Sequence, residues 1–160
     1  MTSPTQAHTV AGTRSVSRSA MVTASPGDVF ELLADPRRHA EIDGGGTVRG
    51  VLAGPLRGPD RLSLGATFGM RMRLVAPYPI RNTVVEFEEG RRIAWRHLGR
   101  HVWRYTLEPV TGGTRVTETF DWSHALSPKS LELSGFPARN THAIEATLDR
   151  LREHFQATPA

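Results

Sequence analysis

The chain of 160 residues contains no cysteine, and it has no long run of apolar residues. The absence of cysteine excludes disulfide bonds and thiolate zinc sites. No segment approaches the roughly 20 apolar residues that cross a bilayer, so we expect no membrane span. The N-terminus also lacks the apolar core of a secretory signal. We therefore expect a cytoplasmic protein.

Lysine is nearly absent as well: of the 20 basic residues, 19 are arginine and one is Lys129. The net charge is only +4, and the calculated pI near 10.6 is high because arginine does not titrate in the accessible range. This balance is typical of a solvated, arginine-rich surface, and we do not expect a nucleic-acid partner. A hydrophobic fraction of 38% over this length indicates one globular domain.

The pattern of turn residues predicts a flexible N-terminal tail over residues 1–14 and a single domain over residues 15–157. One or two short helices follow the first strand, since Ser25 can cap a helix and Pro36 ends it. Pro77-Tyr78-Pro79 is predicted to turn the chain. Strands are predicted over residues 15–24, 47–53, 67–75, 80–88, 92–98, 102–110 and 114–123. A long amphipathic helix is predicted over residues 137–155.

This order of elements indicates an α+β fold with a seven-stranded antiparallel sheet. Gly112-Gly113 predicts a two-residue hairpin loop, and residues 89–91 and 99–101 predict three-residue loops. These loops place in one inward row Val85, Trp95, Tyr105 and Phe120. An adjoining row contains Thr83, His97, Trp103 and Trp122. A third row contains Phe87, Ile93, Leu107 and Glu118.

The inward rows predict a concave, aromatic wall facing the C-terminal helix, with a cavity between them. A ligand there would contact side chains of the sheet, of the helix and of the segment before the helix. The predicted ligand-binding residues are Phe68, Met70, Met72, Thr83, Val85, Trp95, His97, Trp103, Tyr105, Phe120, Trp122, Phe136, Asn140 and Ile144. Residues 54–66 or 123–136 are predicted to gate this cavity, with Phe136 as a lid residue.

Several short motifs carry a family resemblance that extends over about residues 15–157. They are Ala24-Ser25-Pro26-Gly27-Asp28-Val29-Phe30, Asp35-Pro36-Arg37-Arg38, Val85-Glu86-Phe87, Arg91-Arg92-Ile93-Ala94-Trp95, Tyr105-Thr106-Leu107-Glu108-Pro109 and Gly112-Gly113-Thr114-Arg115-Val116-Thr117. In this order they resemble the START-like or Bet v 1-like (SRPBCC) superfamily, specifically its bacterial polyketide cyclase/dehydrase and lipid-transport group. The resemblance implies a helix-grip fold, in which the seven-stranded sheet curves around the long C-terminal helix. It does not imply one function, because members of this superfamily differ in activity.

The polar residues of the inward face provide candidates for acid–base chemistry, namely His97, Tyr105 and Glu118. The predicted register separates His97 from Glu118 by roughly 16 Å, too far for a hydrogen bond, whereas His97 and Tyr105 are diagonal neighbours. A buried Glu118 would need a partner or an opening to water. The histidine spacings match no metal motif, and no cofactor motif is present, so we expect neither a metal nor a cofactor.

Three functions remain open from the sequence. The first is binding of a small, largely apolar molecule, such as a polyketide, an aromatic metabolite or a lipid. The second is an aromatase/cyclase or dehydratase in which His97, Tyr105 and Glu118 promote proton transfer on a polyketide-like substrate. The third is an interaction module that binds a ribosome or another protein. A homodimer is compatible with each of them.

Overall fold

The computed structural model describes residues 6–8 and 13–156, in which eight strands form one antiparallel sheet. The strands are β1 (Gln6–His8), β2 (Ser15–Val22), β3 (Val48–Val51), β4 (Thr67–Arg73), β5 (Pro77–Glu88), β6 (Arg92–Arg96), β7 (Val102–Val110) and β8 (Gly113–Asp121). Their order in the sheet is β1-β2-β8-β7-β6-β5-β4-β3. Seven of them are the predicted strands. The eighth, β1, pairs with β2 and lies within the predicted N-terminal tail, most of which is outside the described residues.

The helices follow the capping signals of the sequence. In α1 (Pro26–Ala34), the Ser25 hydroxyl accepts a hydrogen bond from the Asp28 backbone N–H, and Pro26 occupies the first turn. A short 3-10 helix (Pro36–Arg38) leads into α2 (His39–Ile42). The chain then forms α3 (Pro128–Leu133) and the long α4 (Phe136–Gln156). The predicted α+β helix-grip fold is confirmed.

The observed register of the last hairpins differs from the predicted one by two residues. The turn between β7 and β8 is centred on Thr111 and Gly112, so Tyr105 lies opposite Glu118 and not opposite Phe120. Gly112 adopts a positive φ of 85°, which a residue with a side chain rarely adopts. Between β6 and β7, Trp95 lies opposite Trp103 and not opposite Tyr105. Both predictions of register were wrong, but a shift of two residues keeps every side chain on its predicted face.

A β-bulge at Val85 changes which residues of β5 face inward. Phe87 lies opposite Ile93 as predicted, but beyond the bulge Val84 lies opposite Trp95. Val84 and Asn82 are therefore buried, and Thr83 and Val85 do not take the inward positions predicted for them. Because a bulge adds one residue to one strand only, it reverses the faces of all residues beyond it.

The predicted turn at Pro77-Tyr78-Pro79 was also wrong, because these residues begin β5 and pair with β4. The five-residue β6 ends at Arg96, which pairs with Thr83, so residues 77–82 have no partner strand on that side. Proline is tolerated at such an edge because its missing N–H is not needed there. The sheet consequently has a gap beyond the end of β6.

The core fills the space between the sheet and its helices. From α1, Phe30 packs edge-to-face on Phe87, with ring centroids 5.3 Å apart. Along α4, Ile144, Leu148 and Leu151 are fully buried, and the helix lies against β2 and β8. Helix α4 covers the part of the sheet formed by β2 and β8. The same face of the sheet at β4–β7 is covered by the α2 segment and borders a cavity.

Candidate ligand-binding cavity

A partly open cavity of about 130 Å³ lies between the sheet, the α2 segment and α4. Its lining is mainly aromatic and aliphatic, with a small set of polar groups. The lining residues are His39, Ile42, Asp43, Thr47, Val48, Met70, Met72, Ile80, Asn82, Trp95, His97, Trp103, Tyr105, Glu118, Ala143 and Thr147. A dry apolar cavity of about 150 Å³ holds one benzene ring, so this one is close to the size of a single ring or a short chain.

Trp95 is the centre of the aromatic wall. Its indole stacks on the His39 imidazole, with centroids 4.7 Å apart, and meets Phe68 edge-to-face at 5.8 Å. His39 Nε2 donates to the Leu33 backbone carbonyl at 2.8 Å, which fixes the tautomer and the ring plane. Burial lowers the pKa of His39, so the ring is held neutral at physiological pH. These contacts make the wall rigid and apolar.

Glu118 and Tyr105 form the polar end of the cavity. They lie opposite each other on β8 and β7, and the Tyr105 hydroxyl donates to Glu118 Oε1 at 2.8 Å. Glu118 is only 3% exposed, and among the described residues its Oε2 has no hydrogen-bond partner. Such an unpartnered, buried oxygen is costly unless another group reaches it. The site therefore has one unused hydrogen-bonding position facing its interior.

Burial raises the pKa of Glu118 to about 8, against the stabilising Tyr105 hydrogen bond, and the nearby Asp43 adds to the increase. At neutral pH the side chain is consequently a neutral carboxylic acid for most of the time. If Oε1 accepts from Tyr105, the acid proton is on Oε2. Glu118 can then donate a hydrogen bond to an oxygen atom of a ligand, as a carboxylate cannot.

The turn after α2 brings a carboxylate to the cavity. Asp43 accepts hydrogen bonds from the backbone N–H groups of Thr47 and Val48, at 2.7 and 2.8 Å. Gly44 N–H donates to the Thr147 hydroxyl of α4 at 2.9 Å. A Cβ at Gly44 would lie 2.3 Å from the Thr147 backbone nitrogen, so only glycine permits this close contact. The turn closes the cavity against α4.

His97 and His101 lie at the opposite end, in the turn between β6 and β7. Their rings are perpendicular, with centroids 4.0 Å apart, and His101 also packs edge-to-face on Phe120. Burial lowers the pKa of both, and the neighbouring His97 helps to bring that of His101 to about 4. Both rings are therefore neutral near pH 7. Of these two histidines, His97 lines the cavity and His101 does not.

The structure brings together six of the fourteen predicted ligand-binding residues. Met70, Met72, Trp95, His97, Trp103 and Tyr105 line the cavity, together with the catalytic candidate Glu118. Phe68, Phe120 and Ile144 are buried in the core around it. Asn140 is buried, Trp122 donates to Glu132 at 2.9 Å, and Phe136 packs under Arg139. Thr83 and Val85 are replaced on the inward face by Asn82 and Val84.

The register errors between β6 and β7 and between β7 and β8 are each two residues, and they compensate across the three strands. Residues of β6 and β8 are therefore aligned as predicted, and His97 and Glu118 still lie on different rows. The partner that Glu118 needs is Tyr105. The prediction missed this pair because it placed Tyr105 beside His97.

The sequence prediction also missed the lining residues that come from outside the sheet. Of these, Asp43 had a visible signal, since Asp followed by glycines commonly forms a turn that binds its own backbone. His39 and Thr147 had none, because their positions depend on how α2 and α4 pack. Asn82 was missed because nothing in the local sequence of β5 marks the bulge.

The described residues contain neither a cluster of metal ligands nor a membrane-spanning helix. No group of three or more His, Asp or Glu side chains there could hold a metal ion. No helix in this part of the chain is long and apolar enough to cross a membrane.

Comparison with known proteins agrees with this architecture. A family model described as "Polyketide cyclase / dehydrase and lipid transport" matches residues 13–156. The uncharacterized protein Rv0088 of Mycobacterium tuberculosis is 39% identical over 151 residues, which are 91% of this chain and 66% of that protein. The chain thus spans slightly less than two thirds of the length of this relative.

Two solved structures illustrate the fold. A Rhodobacter sphaeroides protein aligns with a TM-score of 0.72 at 15% identity, covering 98% of this chain and 100% of that one. The Polyketide_cyc-like protein Cgl2372 of Corynebacterium glutamicum aligns with a TM-score of 0.57 at 19% identity, covering 92% and 94%. Likeness at these identities shows the fold alone.

Proposed function

Because this chain belongs to the polyketide cyclase/dehydrase and lipid transport family, in the START-like superfamily, we propose that it binds a small, neutral, mainly apolar molecule in the cavity. The observation that carries this proposal is the pairing of an aromatic wall with one buried acid, Glu118, whose Oε2 is unpartnered among the described residues. Ligand sites typically combine apolar walls with a few such polar groups. The ligand expected is a ketone, phenol or ester with an apolar body.

The charges around the cavity favour a neutral ligand over an anionic one. No arginine or lysine is among the lining residues, and Asp43 contributes a carboxyl group. A ligand carboxylate would therefore be buried without a cation to pair with it, which is costly. A neutral polyketide-like or lipid ketone fits this site better than a free fatty acid does.

Acetophenone and benzoate test the proposal, since they share a ring and differ in charge. Fluorescence of Trp95 and Trp103 would report titrations of both. We expect acetophenone to bind at least about tenfold more tightly than benzoate, and Glu118→Leu to weaken acetophenone about tenfold by removing one buried hydrogen bond. Glu108→Leu, on the exposed face of β7, is the matched control and should change nothing. Equal binding by the Glu118→Leu variant would contradict the proposal.

A second candidate function is proton transfer on a bound ketone. It is favoured by the pKa of Glu118, about 8, because an acid or base is most effective when its pKa is near the working pH. In such an enzyme the ionised fraction of Glu118 would take an α-proton from acetophenone and return a deuteron acquired from D₂O, so NMR should show the α-hydrogens replaced by deuterium. Glu118→Gln should abolish this exchange and leave affinity within about threefold, since the amide still donates. Exchange at the uncatalysed rate in the wild type would exclude this candidate.

The alternative of an interaction module has less support. Arginines of the surface are engaged with carboxylates, for example Arg104 with Glu86 and Arg115 with Glu108. A steep dependence of association on salt would favour this alternative. Location in the cytoplasm and formation of a homodimer stay predictions, which cell fractionation and light scattering would test.

A further inference from the structure

An apolar groove lies on the outer face of the sheet, beside the gap beyond β6. The groove has a volume of about 260 Å³. Its lining residues are Leu52, Leu56, Gly69, Pro79, Ile80, Arg81, His97 and Leu98. Leu98 is 87% exposed and Leu56 is 54% exposed, so large apolar side chains stand open to water at both of its sides. With the other lining residues these leucines form a contiguous apolar surface, the kind of exposed patch that marks a binding site.

The groove has a built floor. The segment after β3 crosses the outer face of β4 at Gly69, where an added Cβ would lie 2.5 Å from the Leu56 backbone oxygen and 2.6 Å from Leu52 Cδ1. Leu52 N–H donates to the Gly69 carbonyl at 2.9 Å, which holds the segment on the sheet. Glycine at this position therefore lets Leu52 and Leu56 lie flat beside the gap.

Two residues, Ile80 and His97, line both the groove and the internal cavity. Ile80 is in the part of β5 that has no partner strand beyond the end of β6. His97 begins the turn that faces this unpaired edge, and Arg100 in the same turn has a φ of 62°, which is strained for a residue other than glycine. On the β6 side of Ile80 the ladder of strand pairs ends at Thr83 and Arg96, so side chains occupy the space between Ile80 and the turn of His97.

The internal cavity is too small for a ligand of ordinary size, and the outer groove provides further apolar volume beside it. The internal cavity holds about one ring, whereas a typical ligand pocket has a volume of about 300–1,000 Å³. A ligand of ordinary size would have to extend out of the cavity, and the groove is the apolar surface that adjoins it. Of the two residues shared by these spaces, Ile80 is apolar and His97 is neutral near pH 7, since burial lowers its pKa; the groove also has one charged lining residue, Arg81.

We propose that the outer groove is a second binding subsite, which takes the alkyl chain of a neutral ligand whose oxygen-bearing end reaches Glu118. The ligand passes through the gap between Ile80 and His97. This inference rests on the proposed function, and it specifies the ligand class further: an elongated molecule with a ring or carbonyl head and an apolar chain. It also places the opening in the sheet, beside residues 54–66, one of the two segments predicted to gate the cavity, since Leu56 lines the groove.

Phenyl alkyl ketones of increasing chain length test the inference, from acetophenone to dodecanophenone. In the wild type we expect affinity to rise with each added methylene, by about two- to fourfold while the chain is being buried. Leu98→Asp and Leu56→Asp should remove this rise for long chains and leave acetophenone binding unchanged. Both positions are exposed, so these variants should fold. Leu133→Asp, at a 90% exposed position on α3, is the matched control.

A second variant tests the passage itself. Ile80→Trp should fill the gap, so that the affinity for the longest ketone relative to that for acetophenone falls about tenfold from its wild-type value. If long ketones keep their advantage in Leu98→Asp, Leu56→Asp and Ile80→Trp, the groove is not a subsite, although the proposed cavity stands. If no ketone of any length binds the wild type, the proposed function fails and this inference fails with it.

Discussion

Glu118 combines near-complete burial with an incomplete set of hydrogen bonds. Tyr105 satisfies Oε1, and the hydroxyl of Tyr105 is itself so buried that its pKa is raised well above its usual value. The pair is therefore mostly neutral near pH 7. The unpaired Oε2 destabilises the folded protein, and a hydrogen bond to a ligand oxygen would offset this. The burial of Glu118 also makes the free energy of unfolding depend on pH.

Glu118→Gln is expected to change the pH dependence of the free energy of unfolding. The folded-state pKa of Glu118 is about 8, above its ordinary value of 4.5, so below pH 4.5 both the folded and the unfolded state hold the proton. As the pH rises from 4.5 to 8, the unfolded chain releases the Glu118 proton before the folded protein does. The free energy of unfolding therefore falls by up to about 1.4 kcal/mol per pH unit. Urea unfolding at several pH values should show that wild-type stability falls relative to Glu118→Gln over this interval.

The matched control for that measurement is Glu108→Gln on the exposed face of β7. No comparable slope is expected there, because the side chain remains in water. The histidines His39, His97 and His101 titrate in both proteins and cancel in the difference. A difference between wild type and Glu118→Gln that is constant from pH 4.5 to pH 8 would show that Glu118 is not buried as described.

At the scale of elements, the cavity depends on contacts between segments that are distant in sequence. The turn after α2 touches the backbone of α4, and the segment after β3 touches the backbone of β4. Each contact is made at a glycine whose φ is not positive, so the requirement is for space and not for an unusual backbone conformation. The glycines therefore determine how closely the elements approach each other.

Gly44→Ala is expected to lower the free energy of unfolding by at least about 2 kcal/mol, because the added methyl group overlaps the α4 backbone. Gly27→Ala is the control: its Cβ would meet only the Ser25 hydroxyl at 3.8 Å, and in the first turn of α1 alanine should stabilise by about 0.5–1 kcal/mol. Chemical denaturation of both variants would check the opposite signs. Equal effects of the two substitutions would refute the close contact.

At the scale of the whole molecule, the cavity is a part of the interior that side chains do not fill. A fully packed interior would be more stable, since each missing contact reduces dispersion and hydrophobic stabilisation. Proteins often retain such spaces where binding requires them. Stability and binding should therefore change in opposite directions when the cavity is filled.

Ala143→Leu is expected to show this opposition. Ala143 lines the cavity from α4, so a leucine should raise the free energy of unfolding by about 1 kcal/mol and weaken acetophenone by at least about tenfold. Ala138→Leu, at an exposed position near the start of α4, should leave both quantities unchanged. Thermal unfolding and fluorescence titration would measure them. A variant that binds acetophenone as the wild type does would place the ligand outside this cavity.

The sequence by itself determined the α+β class, the order of the elements and the inward face of most strands. Alternation of side chains carries that information locally, which is why Trp95, Trp103 and Tyr105 were predicted to face the cavity. Capping residues likewise marked the start of α1. These features depend on neighbouring residues alone.

Which of the inward-facing residues contact each other depends on the tertiary structure. Alternation does not distinguish registers that differ by two residues, so the contact of Tyr105 with Glu118 depended on where the turn at Thr111 and Gly112 formed. The bulge at Val85, which brings in Asn82 and Val84, is a property of two paired strands and of no single one. His39, Asp43 and Thr147 reach the cavity through the packing of α2 and α4, which chain-local patterns do not specify.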